Sequence, residues 1–371
     1  MTDPDKAQRI VRRTKRQKVP KHLLDGHDPK EKLFVSTATH RYQLVDVLGI
    51  GGFGVVYKVT QVSSKQQFAM KTEAVGATMK HSHLKIEMQV LRKVADSGDP
   101  MRQRHFVKIV DRGKTADFKF IVMEVVGDSL AHLQENSKTG RFDPLTSAYL
   151  SYQTAESIDN LHYFGFLHRD IKPHNFCLNQ GTYPRTIYLL DFGTSRCFRG
   201  AKNKNTQTPR KIVKFVGSVN YASTTGLRMK EQSRRDDFET WFYMVIEFQH
   251  PELLVWREAR SLQKHIELKE QFMAKSLDEP LKRYDRVREY INRLRYESLV
   301  DIDFIKIQLL KSQKLSSITQ CIMSLRDGQL TVAKIPTRKT YDQEQEEGSR
   351  TGNVSRTLST ESTDFTKTDG G

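Results

Sequence analysis

The chain reads as an α+β fold in two lobes, a small antiparallel lobe of five strands with one helix and a larger helical lobe. Three features of the sequence point there. Apolar and polar residues alternate in short runs between Arg41 and Val126. After Gly127 the apolar residues recur at helical spacing instead. Both ends, residues 1–40 and 335–371, are polar and lack either period. These limits predict an N-lobe over 41–126 and a C-lobe over 127–325.

Tyr42 to Leu48 alternates like a strand, and Gly54 to Thr60 reads as its partner across a glycine turn. Gln67 to Thr72 makes a third strand. Leu84, Met88 and Leu91 lie on one helical face. Phe106 to Val110 and Phe118 to Val126 complete the five strands. In the second lobe, Thr146 to Phe164 is a long amphipathic helix with Gly165 as its C-cap. Phe176 to Leu178 and Ile187 to Leu190 are short strands. Asp236 to Phe248 is almost wholly apolar after its start, which predicts a buried helix. Further helices are expected over 258–272, 280–296 and 302–311.

The 371 residues carry a formal charge of +17 and a hydrophobic fraction of 37%. That balance favours acidic partners. The densest basic run, Arg12 to Lys18, is read first as a solvated arm, with polyanion binding or nuclear targeting as the alternative. Ser349 to Thr368 has the composition of a disordered tail, either inert or autophosphorylated and inhibitory. No apolar run approaches membrane-spanning length, and the N-terminus lacks a signal-peptide core. Three cysteines do not suggest a disulfide framework. The expectation is an intracellular protein, nuclear or cytoplasmic, with no membrane partner and a monomer by default.

The chemistry concentrates in a few motifs. His168-Arg169-Asp170-Ile171-Lys172-Pro173-His174-Asn175, followed by Asp191-Phe192-Gly193, has the order a phosphoryl-transfer site needs. Asp170 is the candidate base for a substrate hydroxyl. Lys172 would neutralise the transferring group. Asn175 and Asp191 are hard oxygen ligands suited to Mg²⁺. Gly49-Ile50-Gly51-Gly52-Phe53-Gly54-Val55-Val56 is a glycine turn able to lie over phosphates. The strand-like sequence after it argues for a hairpin lid and against a dinucleotide fold. Leu48 precedes this turn and joins it as a nucleotide contact. Lys71 stands on an apolar strand, and Glu87 on the next helix is its candidate partner. Backbone groups of Glu124 and Val126 would meet an adenine edge. Asp237 is expected to be an N-cap or an anchor for the catalytic loop. Any one of these residues has a plain reading as a solvated polar group; the ordered set does not.

Residues 41–325 resemble a eukaryotic protein kinase, and within that fold the casein kinase 1 superfamily. The resemblance rests on His168 to Phe176, on Val216-Gly217-Ser218-Val219-Asn220-Tyr221-Ala222-Ser223, and on Glu231-Gln232-Ser233-Arg234-Arg235-Asp236-Asp237. Phe242 to Phe248 is similar to the tau-tubulin kinase branch. The resemblance implies ATP and Mg²⁺ as cofactors, and protein serine or threonine hydroxyls in acidic or phospho-primed context as substrates. Arg196, Arg199, Lys202, Lys204, Arg210, Lys211 and Lys214 agree with an acidic preference. Thr194 stands where the family usually has Leu, and Val255 where it has Pro. Asn220 replaces an arginine that helps bind an anion, which puts phospho-priming in question. The rival from another class is a pseudokinase or scaffold, whose mark would be a missing Lys, Asp or Asn. Polyanion binding through residues 1–40 is compatible with either.

Overall fold

The computed structural model describes residues 23–24, 32–52, 54–75, 82–180, 186–199 and 207–335. The run Arg12 to Lys18, Phe53, Lys202, Lys204 and the Ser/Thr-rich segment 349–368 lie outside them. The N-lobe sheet contains β1 (Phe34–Ser36), β2 (Arg41–Gly51), β3 (Gly54–Gln61), β4 (Gln67–Ala74), β5 (Ile109–Lys114) and β6 (Phe118–Met123). Its antiparallel order is β1-β2-β3-β4-β6-β5. Period-two alternation sorts its side chains onto two faces. Tyr42, Leu44, Val55, Tyr57, Val59, Phe68, Met70, Phe120 and Val122 build an outer core. Ala69, Ile121 and Met123 face the other way and join the core shared with the second lobe.

Two details of this lobe differ from expectation. Organised structure starts before Arg41: β1 adds a sixth strand, and Leu23 N–H donates to Tyr57 Oη at 2.8 Å. Only Val35 of β1 is buried, so three residues offered too short an alternation to read. Phe106 and Val107 are not a strand; they are buried in the main core, and β5 begins at Ile109. An apolar pair in the core and one in a strand look alike in sequence.

The first long helix, α1 (His83–Ala95), buries Leu84, Glu87, Val90, Leu91 and Val94, with Met88 only half-buried. A short turn, α2 (Pro100–Gln103), follows. The second lobe holds α3 (Leu130–Glu135), α4 (Pro144–Tyr163), the hairpin β8 (Phe176–Leu178) and β9 (Ile187–Leu189), and the short pair β7 (Phe166–Leu167) and β10 (Arg196–Cys197). Asp143 caps α4, with Pro144 at its first position and Gly165 at φ +90° just past its end. Then come α5 (Thr224–Leu227), α6 (Arg234–Gln249), α7 (Leu262–Ala274), α8 (Asp285–Arg293) and α9 (Ile302–Ser312). Nearly every residue of α6 is buried, as its composition predicts. The helices expected from 258 and 280 start later, at Leu262 behind the N-cap Ser261 and at Asp285. A final hairpin, β11 (Cys321–Arg326) and β12 (Gln329–Lys334), turns at Asp327-Gly328, both at positive φ. It carries the ordered chain past residue 325. Among the described residues no helix is long and apolar enough to cross a membrane.

Candidate active site

Lys71 shares the inner face of β4 with Ala69, opposite Val56 of β3. Helix α1 is aimed by its first turn: Ser82 accepts the Lys85 N–H, and Glu73 accepts the His83 N–H at 2.8 Å. That start places Glu87 on the buried stripe, with its side chain only 3% exposed. A carboxylate so placed needs a partner. Lys71 Nζ supplies it, 2.5 Å from Glu87 Oε2, and also lies 2.8 Å from Asp191 Oδ1. Burial opposes the lysine's charge, but the two carboxylates outweigh it and raise the pKa above the ordinary lysine value. Burial likewise opposes the Asp191 charge, yet the Lys71 ammonium brings that carboxyl down to about 2.

The catalytic-loop candidates hang from Asp237. This buried carboxylate of α6 accepts the His168 N–H at 2.8 Å, the Arg169 N–H at 2.9 Å and a bond from His162 Nε2 at 2.8 Å. It is therefore an anchor; the N-cap of α6 is Ser233, in a capping box with Asp236. Arg169 takes φ +68° and Asp191 φ +63°, both left-handed and non-glycine. Asp170 Oδ2 meets Lys172 Nζ at 2.7 Å, while Oδ1 is buried with no partner among the described residues. Lys172 Nζ also donates to Ser218 Oγ at 3.0 Å. Asn175 Nδ2 donates to Asp170 O at 2.7 Å. His168 packs edge-on against Phe192; its Nε2 pairs with Leu190 O, and its Nδ1 accepts the Asp170 N–H at 3.3 Å.

The glycine turn is a hairpin, with Ile50 paired to Val55 and Gly51 to Gly54. Of Gly49, Gly51 and Gly54, the last is sterically demanded: a Cβ there would lie 1.7 Å from Thr72 O. Leu48, Ile50 and Gly52 are exposed, Gly49 has open space where a Cβ would lie, and Val56 faces the Lys71 side. Val55 points into the outer core, away from Lys71. Glu124 N–H is committed to Lys108 O at 3.3 Å, while among the described residues its carbonyl and the Val126 N–H make no backbone bond.

The donor set fits Mg²⁺. Asp191 is 42% exposed with Oδ1 on Lys71, and the Asn175 amide nitrogen is held by Asp170 O, so one hard oxygen of each remains for a cation. Among the described residues no group of three His, Cys, Asp or Glu could hold a metal alone, so other ligands would come from phosphate oxygens and water.

Other neighbours of the site were given no role in it by the sequence, though Gly217 and Ser218 lie in the Val216–Ser223 run that carries the resemblance. Gly217 at φ +94° lies against the catalytic loop, where a Cβ would meet Arg169 O at 2.4 Å. Ser218 touches Lys172, and His83 Nδ1 pairs with Gly193 O at 2.7 Å. Their contacts with the site are made across long sequence separations, which spacing does not report. Thr194 replaces the expected Leu without leaving a gap: its hydroxyl donates to His168 O, and its carbonyl accepts from Arg169 Nε. The basic segment is partly neutralised, since Arg196 and Arg210 both pair with Glu231. Burial, then Arg196 and Arg210, pull the Arg169 pKa down to about 10. Three guanidiniums thus gather about one carboxylate.

A two-lobed molecule with a carboxylate-held lysine above a strained acidic loop defines the protein class as a phosphoryl-transfer fold. The protein kinase domain model matches residues 42–328. A Caenorhabditis elegans protein described as a serine/threonine-protein kinase is 34% identical over 241 residues, 65% of this chain and 72% of its own length. A second from that organism is 32% identical over 284 residues, 75% and 71% of the two chains. One from Dictyostelium discoideum is 29% identical over 271 residues, covering 72% and 53%. The chain belongs to the protein kinase family, with serine/threonine kinases as its relatives, and that membership brings ATP and Mg²⁺ as general requirements.

Proposed function

We propose that the protein is an active serine/threonine kinase of the casein kinase 1 superfamily, nearest the tau-tubulin kinase branch, that phosphorylates protein hydroxyls in acidic context. The observation that carries this reading is the completed Lys71–Glu87–Asp191 set above a buried, unpartnered Asp170 Oδ1. A pseudokinase would lack one of these groups.

In this reading Lys71, held by Glu87, binds phosphate oxygens of the nucleotide under the Gly49–Val56 hairpin. Asn175 and Asp191 would hold Mg²⁺, which would neutralise phosphate charge. Asp170 orients the acceptor hydroxyl and takes its proton as the new O–P bond forms and the bond from the γ-phosphorus to the bridging β-phosphate oxygen breaks, releasing ADP. Lys172 stabilises negative charge on the transferred group. Most of the catalytic effect is positioning and electrostatics.

The acidic preference is supported by Arg169, Arg196 and Arg210 crowding Glu231, with Lys211 and Lys214 exposed beside them. Asn220 is exposed and neutral, so a preference for acidic sequence fits better than a strict need for a phosphorylated one.

The test is transfer of labelled phosphate from ATP to casein, with Mg²⁺, by wild type and by Asp170→Asn. Turnover should fall about a hundred- to ten-thousandfold in the variant, with the melting temperature retained. Equal labelling by both would sink the assignment. Acidic peptides should be better substrates than neutral ones, and the advantage should shrink with salt.

A further inference from the structure

Lys269 lies on the buried stripe of α7, in helical register with Leu262, Ile266 and Met273, and its relative exposure is 0%. An ammonium on such a stripe is unfavourable unless something there needs it. Among the described residues it makes no close ion pair. Its bonds go to backbone carbonyls: Ala222 O at 2.6 Å and Val219 O at 3.2 Å. The rings of Tyr243 and Trp256 flank Nζ at 4.8 and 5.4 Å. Burial draws the lysine's pKa below its ordinary value, opposed by the Glu239 carboxylate and reinforced by Arg257.

Neighbouring groups grip the same segment. Trp256 Nε1 donates to Asn220 O at 2.8 Å, and Glu239 accepts the Thr224 N–H at 2.7 Å. The segment is thus held from beneath by polar side chains at three carbonyls and one N–H. Its other side faces the site, through Gly217 against Arg169 O and Ser218 on Lys172. A methionine would fill the Lys269 space equally well; only the ammonium can hold the carbonyls.

We propose that Lys269 is a positioning residue for the protein substrate: by holding the Val219 and Ala222 carbonyls it sets the height of the Gly217–Ala222 segment beside Asp170 and Lys172. The proposal rests on the kinase reading above and deepens it. Lys269 touches neither nucleotide nor the reacting hydroxyl, so its loss should weaken acceptor binding and spare the nucleotide half of the site.

The experiment is steady-state kinetics of full-chain Lys269→Met, beside wild type and Asp170→Asn, on casein and ATP. The KM for casein should rise about tenfold, the equivalent of one or two good hydrogen bonds, while kcat and the KM for ATP stay within about threefold. ATP hydrolysis without acceptor should be unchanged. Amide exchange in the variant should quicken over 217–223 and nowhere else. An unchanged KM for casein overturns the proposal. So does loss of the folding transition, or an equal loss of ATP hydrolysis, because either assigns Lys269 to general core stability. A wild type that transfers no phosphate defeats the kinase reading itself, and this proposal with it.

Discussion

Arg169, Asp191 and Gly217 show how much of the site is backbone conformation. Asp191 at φ +63° and Arg169 at φ +68° occupy wells that cost ordinary residues of order 1–3 kcal/mol. Surrounding bonds hold them there: Asp237 below the catalytic loop, and Lys71 beside Asp191. Gly217 needs its φ of +94° and also the missing Cβ, with Arg169 O only 2.4 Å from where that atom would be. Gly217→Ala should therefore push the Ser218 segment away from Lys172. We expect phosphate transfer to fall by about tenfold or more while the melting temperature moves by only a few degrees. Parallel assay and melt would check this; unimpaired transfer would mean the segment tolerates displacement.

Among the elements, α6 does the most work. Its apolar body fills the core, and its first turn carries the polar groups that organise the site: Ser233, Asp236 and Asp237. Asp236 accepts the Ser233 N–H at 2.7 Å inside the protein. Burial, and then the nearby Glu239, raise its carboxyl from 3.8 to about 6. A raised folded-state value means stability that is full below the unfolded pKa and lost as pH rises through the folded one. Wild type should thus lose stability relative to Asp236→Asn between about pH 4 and pH 6, by up to a few kcal/mol at about 1.4 per pH unit. Thermal melts of both proteins across that range measure it. Parallel curves would place the proton elsewhere.

At the scale of the molecule, the C-terminal hairpin closes the second lobe. Cys321, Met323, Leu330 and Val332 belong to the main core, and Val332 N–H donates to Thr146 Oγ1 at 2.9 Å at the start of α4. A chain ending at Leu325 would expose that seam. Losing Leu330 and Val332 from the core should cost roughly 3–6 kcal/mol, enough to lower the melting temperature by about 10 °C. A chain ending at Ile335 keeps both strands and should melt well above the one ending at Leu325. If both truncations behave alike, the hairpin is dispensable.

The sequence alone was enough to single out Lys71, Glu87, Asp170, Lys172, Asn175 and Asp191 as candidates, because they fall in recognisable runs; the structure joins Lys71 to Glu87 and Asp191, and Lys172 and Asn175 to Asp170, while their chemical roles belong to the function proposed above. The two-lobed division and the buried α6 were legible too, since apolar period and composition are local properties. The reading failed where the deciding partner was distant in sequence. Phe106 and Val107 went to the core, and no pattern along the chain marked Lys269, whose partners Val219 and Ala222 are far from it in sequence. Spacing reports which residues share a face; only the tertiary structure decides what that face meets, because burial and hydrogen-bond partners are set by chains brought together from far apart.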